Sequence, residues 1–156
     1  MAHTFTSGPM TLKPEWIDYN GHLNMAYYGR LFDDGVEEYF TQMGIGEAYA
    51  RSSGHTTYSA EFRIRYLREL PPDAVVRVTF RILDLGPKSL HYAQEILHED
   101  GWVSATGEGI SLHIDQSGPR VAAYPAEIAA RLAAEAKAHA AEPVPEWVGA
   151  PMKIRK

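Results

Sequence analysis

A chain of 156 residues, 45% apolar and 22% charged, fits one ordinary globular domain with a real core, not a disordered segment or two full domains. It contains no cysteine, which excludes disulfides, thiolate nucleophiles, iron–sulfur ligation and Cys-type zinc sites and suits a reducing cytoplasm. A net charge of -5 without a basic cluster argues against nucleic acid as a partner, and no apolar run approaches the ~18 residues of a membrane span.

A short strand is expected near Phe5 to Leu12. From Met25 to Met43, residues Tyr28, Leu31, Phe32, Val36, Tyr39, Phe40 and Met43 recur at helical spacing, and Gly44 and Gly46 should stop that helix. A polar connection, Arg51 to Thr57, follows. The period then changes to two, with Tyr58, Ala60, Phe62, Ile64 and Tyr66 on one face and Ser59, Glu61, Arg63 and Arg65 on the other. Pro71-Pro72-Asp73 ends this strand. Val76, Val78, Phe80 and Ile82 alternate in the next, Gly86-Pro87 turns the chain, and Leu90, Tyr92, Gln94 and Ile96 continue the pattern. Asp100-Gly101 is a hairpin signal before a last strand, Val103 to Ile114. Pro125 opens a second helix to about Ala140. Residues 1–142 thus read as one domain and 143–156 as a Pro-rich irregular tail.

Four antiparallel strands bury one face most simply by curling around the one long apolar helix. The expected architecture is α+β, the layout of a hotdog fold with a C-terminal helix. Its exposed sheet edges predict a homodimer or homotetramer.

One segment stands apart, Trp16-Ile17-Asp18-Tyr19-Asn20-Gly21-His22-Leu23-Asn24-Met25-Ala26-Tyr27-Tyr28. Asn20 or Asn24 could cap the helix, and Gly21 permits a backbone geometry that other residues resist. The first helical N–H groups would point outward at a partial positive charge, a place for the oxygen of a thioester carbonyl. Asp18 could supply a carboxylate to the same carbonyl carbon, as nucleophile or through a water as general base. Asp, Asn, Gly and His also gather before helices for capping and turn reasons alone.

This segment resembles the motif of the hotdog acyl-CoA thioesterases of the 4-hydroxybenzoyl-CoA type, and the match of helix, strands and turns extends to about Ala140. The resemblance implies that Asp18 is the catalytic carboxylate, Met25 the backbone oxyanion donor, and Asn20, Gly21, His22 and Asn24 parts of the site. A closer likeness runs through Leu90-His91-Tyr92, Asp100 to Glu108, Leu112 to Asp115 and Pro125 to Leu132, which are similar to the betainyl-CoA thioesterases of carnitine breakdown. The implied activity is acyl-CoA hydrolysis with no metal or redox cofactor, and the implied partner an acyl-CoA substrate.

Trp16, Tyr27 and Trp102 are candidates for an acyl-pocket wall, able to hold a quaternary ammonium by their aromatic faces. Arg63, Arg65 and Arg68, with Lys88 and Arg120 in nearby turns, are candidates for the phosphates of CoA, although a charged sheet face explains the three arginines without a ligand. Asp33, Asp34, Glu37 and Glu38 read as a solvated face or ion-pair partners, with Asp33 or Asp34 a possible site carboxylate. His91 and His113 read as hydrogen-bonded structural residues, and His55 and His139 as surface residues; no histidine spacing suits zinc. Two other functions fit the same fold. An enoyl-CoA hydratase would need its His five residues after the Asp with an intervening proline, whereas here Gly21 replaces the proline and His22 comes four after Asp18. A non-catalytic CoA-ligand-binding module would release no thiol from any acyl-CoA.

Overall fold

The computed structural model describes residues 4–156, so the first three residues of the expected 1–142 unit lie outside it. Helix α1, Met25–Met43, buries Tyr28, Leu31, Phe32, Gly35, Tyr39 and Phe40, the stripe that the spacing predicts. Each fully buried Leu or Phe contributes ~1.5–3 kcal/mol, so this one face outweighs the helix's modest intrinsic propensity. Its start is capped by the Asn24 side chain, which accepts the Ala26 N–H at 3.0 Å. Its end is Gly44, in the left-handed region at φ 79°, after which the Ile45 N–H returns to the Phe40 carbonyl at 2.9 Å.

Four long strands form an antiparallel sheet: β3 (His55–Tyr66), β4 (Val75–Leu85), β5 (Ser89–His98) and β6 (Val103–Asp115), in spatial order β4-β5-β6-β3. The inner face carries Val76, Val78 and Phe80 of β4 with Leu90, Tyr92 and Ile96 of β5, all buried against α1. At the closest approach a Cβ added to Gly35 would sit 2.5 Å from the Val78 Cβ, so α1 rests on β4 because residue 35 has no side chain. Helix α3, Ala126–His139, closes the far end of the core with Ile128 and Leu132. Among the described residues no helix is long and apolar enough to cross a membrane. This is the α+β hotdog arrangement expected from the pattern.

Several local expectations are corrected. The strand foreseen from Phe5 to Leu12 is two short ones, β1 (Phe5–Thr6) and β2 (Met10–Thr11), interrupted at Gly8-Pro9, and both pair with β4. Within the polar stretch Arg51 to Thr57 lie the end of a second helix, α2 (Glu47–Ser53), and the start of β3. The register of β3 slips between Ser59 and Glu61, opposite Ser111 and Ile110. Ala60 is the extra residue, and the alternation reverses there. Thr57 and Ser59 therefore face α1 before the bulge and Phe62 after it, which leaves Tyr58 on the outer face, 46% exposed. A short strand β7 (Arg120–Val121) adds to β6. His139 is not on the surface but 1% exposed, its Nδ1 accepting the Ile82 N–H at 2.9 Å. His55 is half-buried, stacked on His113 at 5.4 Å.

Residues 143–156 contain no helix or strand, yet as far as Ala150 they are strapped to the outer face of the sheet. Arg81 donates to the carbonyls of Glu142 and Pro143, and Arg63 to those of Trp147 and Ala150. Glu108 accepts the Gly149 N–H at 3.0 Å and pairs with Arg63 at 2.7 Å. Arg81 lies opposite Ala93, Ala93 opposite Glu108, and Glu108 opposite Arg63. The anchors thus form one row across four strands, and the strap follows it.

Candidate active site

Residues 17–23 form a tight reversal closed by a bridge between Ile17 and Leu23. The Asp18 N–H donates to the His22 carbonyl at 3.1 Å, and the Gly21 N–H to the Asp18 carbonyl at 2.9 Å. Gly21 sits at φ 79°, where an L side chain would be strained, so the turn needs this glycine. The Leu23 N–H donates to the Leu70 carbonyl at 3.0 Å, which ties the reversal to the loop after β3.

The Asp18 carboxylate is held from two sides. Its Oδ1 accepts the Asn20 N–H at 2.8 Å, and its Oδ2 accepts the Asn24 side-chain amide at 3.1 Å. Asn24 therefore works in both directions, its amide nitrogen orienting Asp18 and its oxygen capping α1. The Met25 N–H, the first of the helix, donates to nothing among the described residues. It carries the positive end of a nineteen-residue helix beside a fixed carboxylate. Both border a cleft of about 340 Å³ with Asn20, His22, Tyr66 and Arg68. The arrangement pairs an acceptor for a proton, or an attacking oxygen, with a donor for a developing oxyanion.

The structure brings together Asp18, Asn20, Gly21, His22, Asn24 and Met25 of the residues singled out from sequence. It does not bring the aromatic residues into that cleft. Trp16 and Tyr27 stack on each other at 5.4 Å and border a neighbouring cleft with Lys13 and Arg30. Lys13 already lies over the Trp16 ring at 5.5 Å. Trp102 stacks on His98 at 4.3 Å, and the Arg68 guanidinium covers its ring at 4.0 Å. Both indoles thus already hold a cation from their own chain. Arg63 is spent on Glu108 and the strap, and Arg63 and Arg65 both line a separate cleft on the outer face. His91 and His113 are hydrogen-bonded as expected, His91 to Glu108 at 2.9 Å and His113 to the Tyr49 hydroxyl at 2.8 Å and the Ala122 carbonyl at 2.9 Å. On α1, Asp34 pairs with Arg30 at 2.8 Å, Glu38 accepts the Gly8 N–H, and Glu37 accepts the Glu47 N–H.

The profile of the thioesterase-like superfamily matches residues 12–132. The chain belongs to this superfamily. Over 150 residues it is 35% identical to the betainyl-CoA thioesterase of Pseudomonas aeruginosa, covering 96% of this chain and 94% of that one. Over 110 residues it is 36% identical to the L-carnitine dehydrogenase/betainyl-CoA thioesterase of Agrobacterium fabrum, covering 70% of this chain and 22% of that protein. A Staphylococcus aureus protein solved in complex with CoA superposes with a TM-score of 0.87 at 29% identity, covering 98% of this chain and 95% of that one.

In this thioesterase-like chain the sequence left some residues of the cleft unmarked. Tyr66, whose hydroxyl donates to the Met25 carbonyl at 3.1 Å, and Glu69 both border it. Tyr66 counts only as a strand residue in the alternation, and nothing in the loop Leu67 to Leu70 has a period. Only the fold places the end of β3 beside the start of α1.

Proposed function

We propose that the chain hydrolyses betainyl-CoA to CoA and betaine at the Asp18 cleft. The observation that carries it is the juxtaposition of the doubly held Asp18 carboxylate with the free Met25 N–H. The thioester oxygen accepts from the Met25 N–H, which favours the charge that develops there on attack. Asp18 then acts on the carbonyl carbon by one of two balanced routes. As nucleophile it expels CoA thiolate and leaves a mixed anhydride that water cleaves. As base it takes a proton from a water whose oxygen adds to the carbon, and the thiolate leaves as the tetrahedral species collapses. Label found in the Asp18 carboxyl after a single turnover in ¹⁸O-water identifies the nucleophilic route, with water adding at the Asp18 carbon of the anhydride.

The trimethylammonium head forms no ordinary hydrogen bond and needs a carboxylate or an open aromatic face. With Trp16 and Trp102 occupied, Asp33 is the better partner. It makes no hydrogen bond or ion pair among the described residues and stands over a cleft of about 290 Å³ with Val36, Ser59 and Tyr92. Burial, opposed by the Ser59 hydroxyl and reinforced by the nearby Asp33 charge, pushes the Tyr92 phenol up to about 12, so it stays a neutral dipole. Asp33 is eight residues beyond Met25, roughly 12 Å along the helix, farther than a betainyl group reaches. Antiparallel pairing of two β3 strands across a two-fold axis sets the start of one against the end of the other. One protomer's Asp33 cleft then meets its partner's Asp18 cleft, and the site belongs to a dimer.

A screen of acyl-CoA thioesters by thiol release tests this. The expected result is a higher kcat/KM for betainyl-CoA than for its neutral isostere, 3,3-dimethylbutanoyl-CoA. Equal values would remove the cationic head from the proposal, and no thiol release from any acyl-CoA would remove hydrolysis.

A further inference from the structure

We propose that the C-terminal strap and the outer face of β3 together bind the phosphorylated nucleotide of coenzyme A. This rests on the acyl-CoA reading above. Between strap and strand lies a cleft of about 500 Å³, within the range of small-molecule sites, bordered by Arg65, Glu146, Trp147, Lys153 and Arg155. Arg65, Lys153 and Arg155 make no hydrogen bond or ion pair among the described residues. Four cations line this cleft, Arg63 paired with Glu108 and the other three unpaired, with Glu146 as the acidic lining residue, and a polyanion relieves the repulsion among the unpaired three.

The strap is a fixed wall as far as Ala150. Arg63 grips the carbonyls of Trp147 and Ala150, and Glu108 grips the Gly149 N–H, so Trp147 is held on the lining of the cleft that Arg65 also borders. The chemistry of the lining matches the nucleotide of CoA part by part. Guanidinium and ammonium groups suit its 3'-phosphate and diphosphate, and an indole offers a stacking face to adenine. The cleft also lies within reach of the chemistry. Arg65 lines it, while the next residue, Tyr66, lines the Asp18 cleft on the opposite face. Their Cα atoms are about 3.8 Å apart. The pantetheine arm has only to pass around the end of β3.

The test is calorimetric titration of the full chain with CoA, pantetheine and inorganic phosphate, for wild type, Arg65→Ala and Lys153→Ala/Arg155→Ala. Each variant should weaken CoA by about 10-fold or more, as loss of charge-assisted phosphate contacts does, and leave pantetheine unchanged. CoA affinity within twofold of wild type overturns the site, as does an equal loss for pantetheine. Phosphate alone displacing CoA at comparable concentration would reduce the cleft to a general anion patch and overturn it too. Thiol release assayed alongside keeps the two proposals apart. Hydrolysis with variant-insensitive CoA binding removes this site and keeps the enzyme. CoA binding lost in the variants, without hydrolysis by wild type, removes the enzyme and keeps the site.

Discussion

In the proposed hydrolysis, Asp18 and Asn24 are the few side chains that the chemistry would require at the start of the helix. Asp18→Asn keeps the shape of the turn but removes the charge, and turnover should fall by about 10²-fold or more while KM changes little. Near wild-type turnover would return Asp18 to a turn role. Asn24→Ala loses the cap and the orienting amide together. Stability should drop by about 1 kcal/mol, a fall in Tm of about 2–4 °C, and kcat should drop with it. An unchanged kcat with the lower Tm would confine Asn24 to capping. This part of the site was legible in the sequence because every member lies within eight positions around one glycine. The partners of Arg63 and Trp102 were not legible. Glu108 is 45 residues from Arg63 along the chain, and no local pattern says that the two meet in adjacent strands.

At the scale of elements, the long helix and the hairpins were readable because their apolar residues recur at a fixed period. The bulge at Ala60 was hidden, since one inserted residue leaves both halves of β3 alternating and only exchanges their faces. Helix α2 has seven residues, too few for a period to show. The contact of α1 with β4 has a direct test in Gly35→Ala, whose new methyl meets Val78 at 2.5 Å. Urea unfolding should show a lower midpoint at unchanged slope, a cost of about 1–3 kcal/mol. The strap depends on Glu108. Partial burial pushes its carboxyl up, but the Gly149 N–H, His91 and Arg63 together hold it below the ordinary 4.5. A lowered folded value means that the ionised form stabilises at and above the ordinary range, and that this contribution is lost as pH falls through the lowered value. The stability gap between wild type and Glu108→Gln should therefore narrow as pH is brought from about 6 to about 3. A constant gap would show that the carboxylate does not hold the strap through its charge.

For the whole molecule, the sheet has two flanks of different character. Along β4 the flank is finished. The β2 and β1 segments pair with it at Met10–Thr11 and Phe5–Thr6, Ser7 both donates to and accepts from the backbone of Val78, and His139 accepts the Ile82 N–H. Along β3, twelve residues long, nothing among the described residues pairs with the far side. Sedimentation at assay concentration should give at least twice the chain's mass, and a fully active monomer would defeat the composite site. A molecule with two open flanks could add copies without end, each new arrival offering a fresh edge to the next. With one flank sealed, a pairing of two copies along β3 would consume the long unpaired strand of both. His139, which its sequence neighbours do not mark as special, thus helps to close the β4 flank to the addition of a further strand.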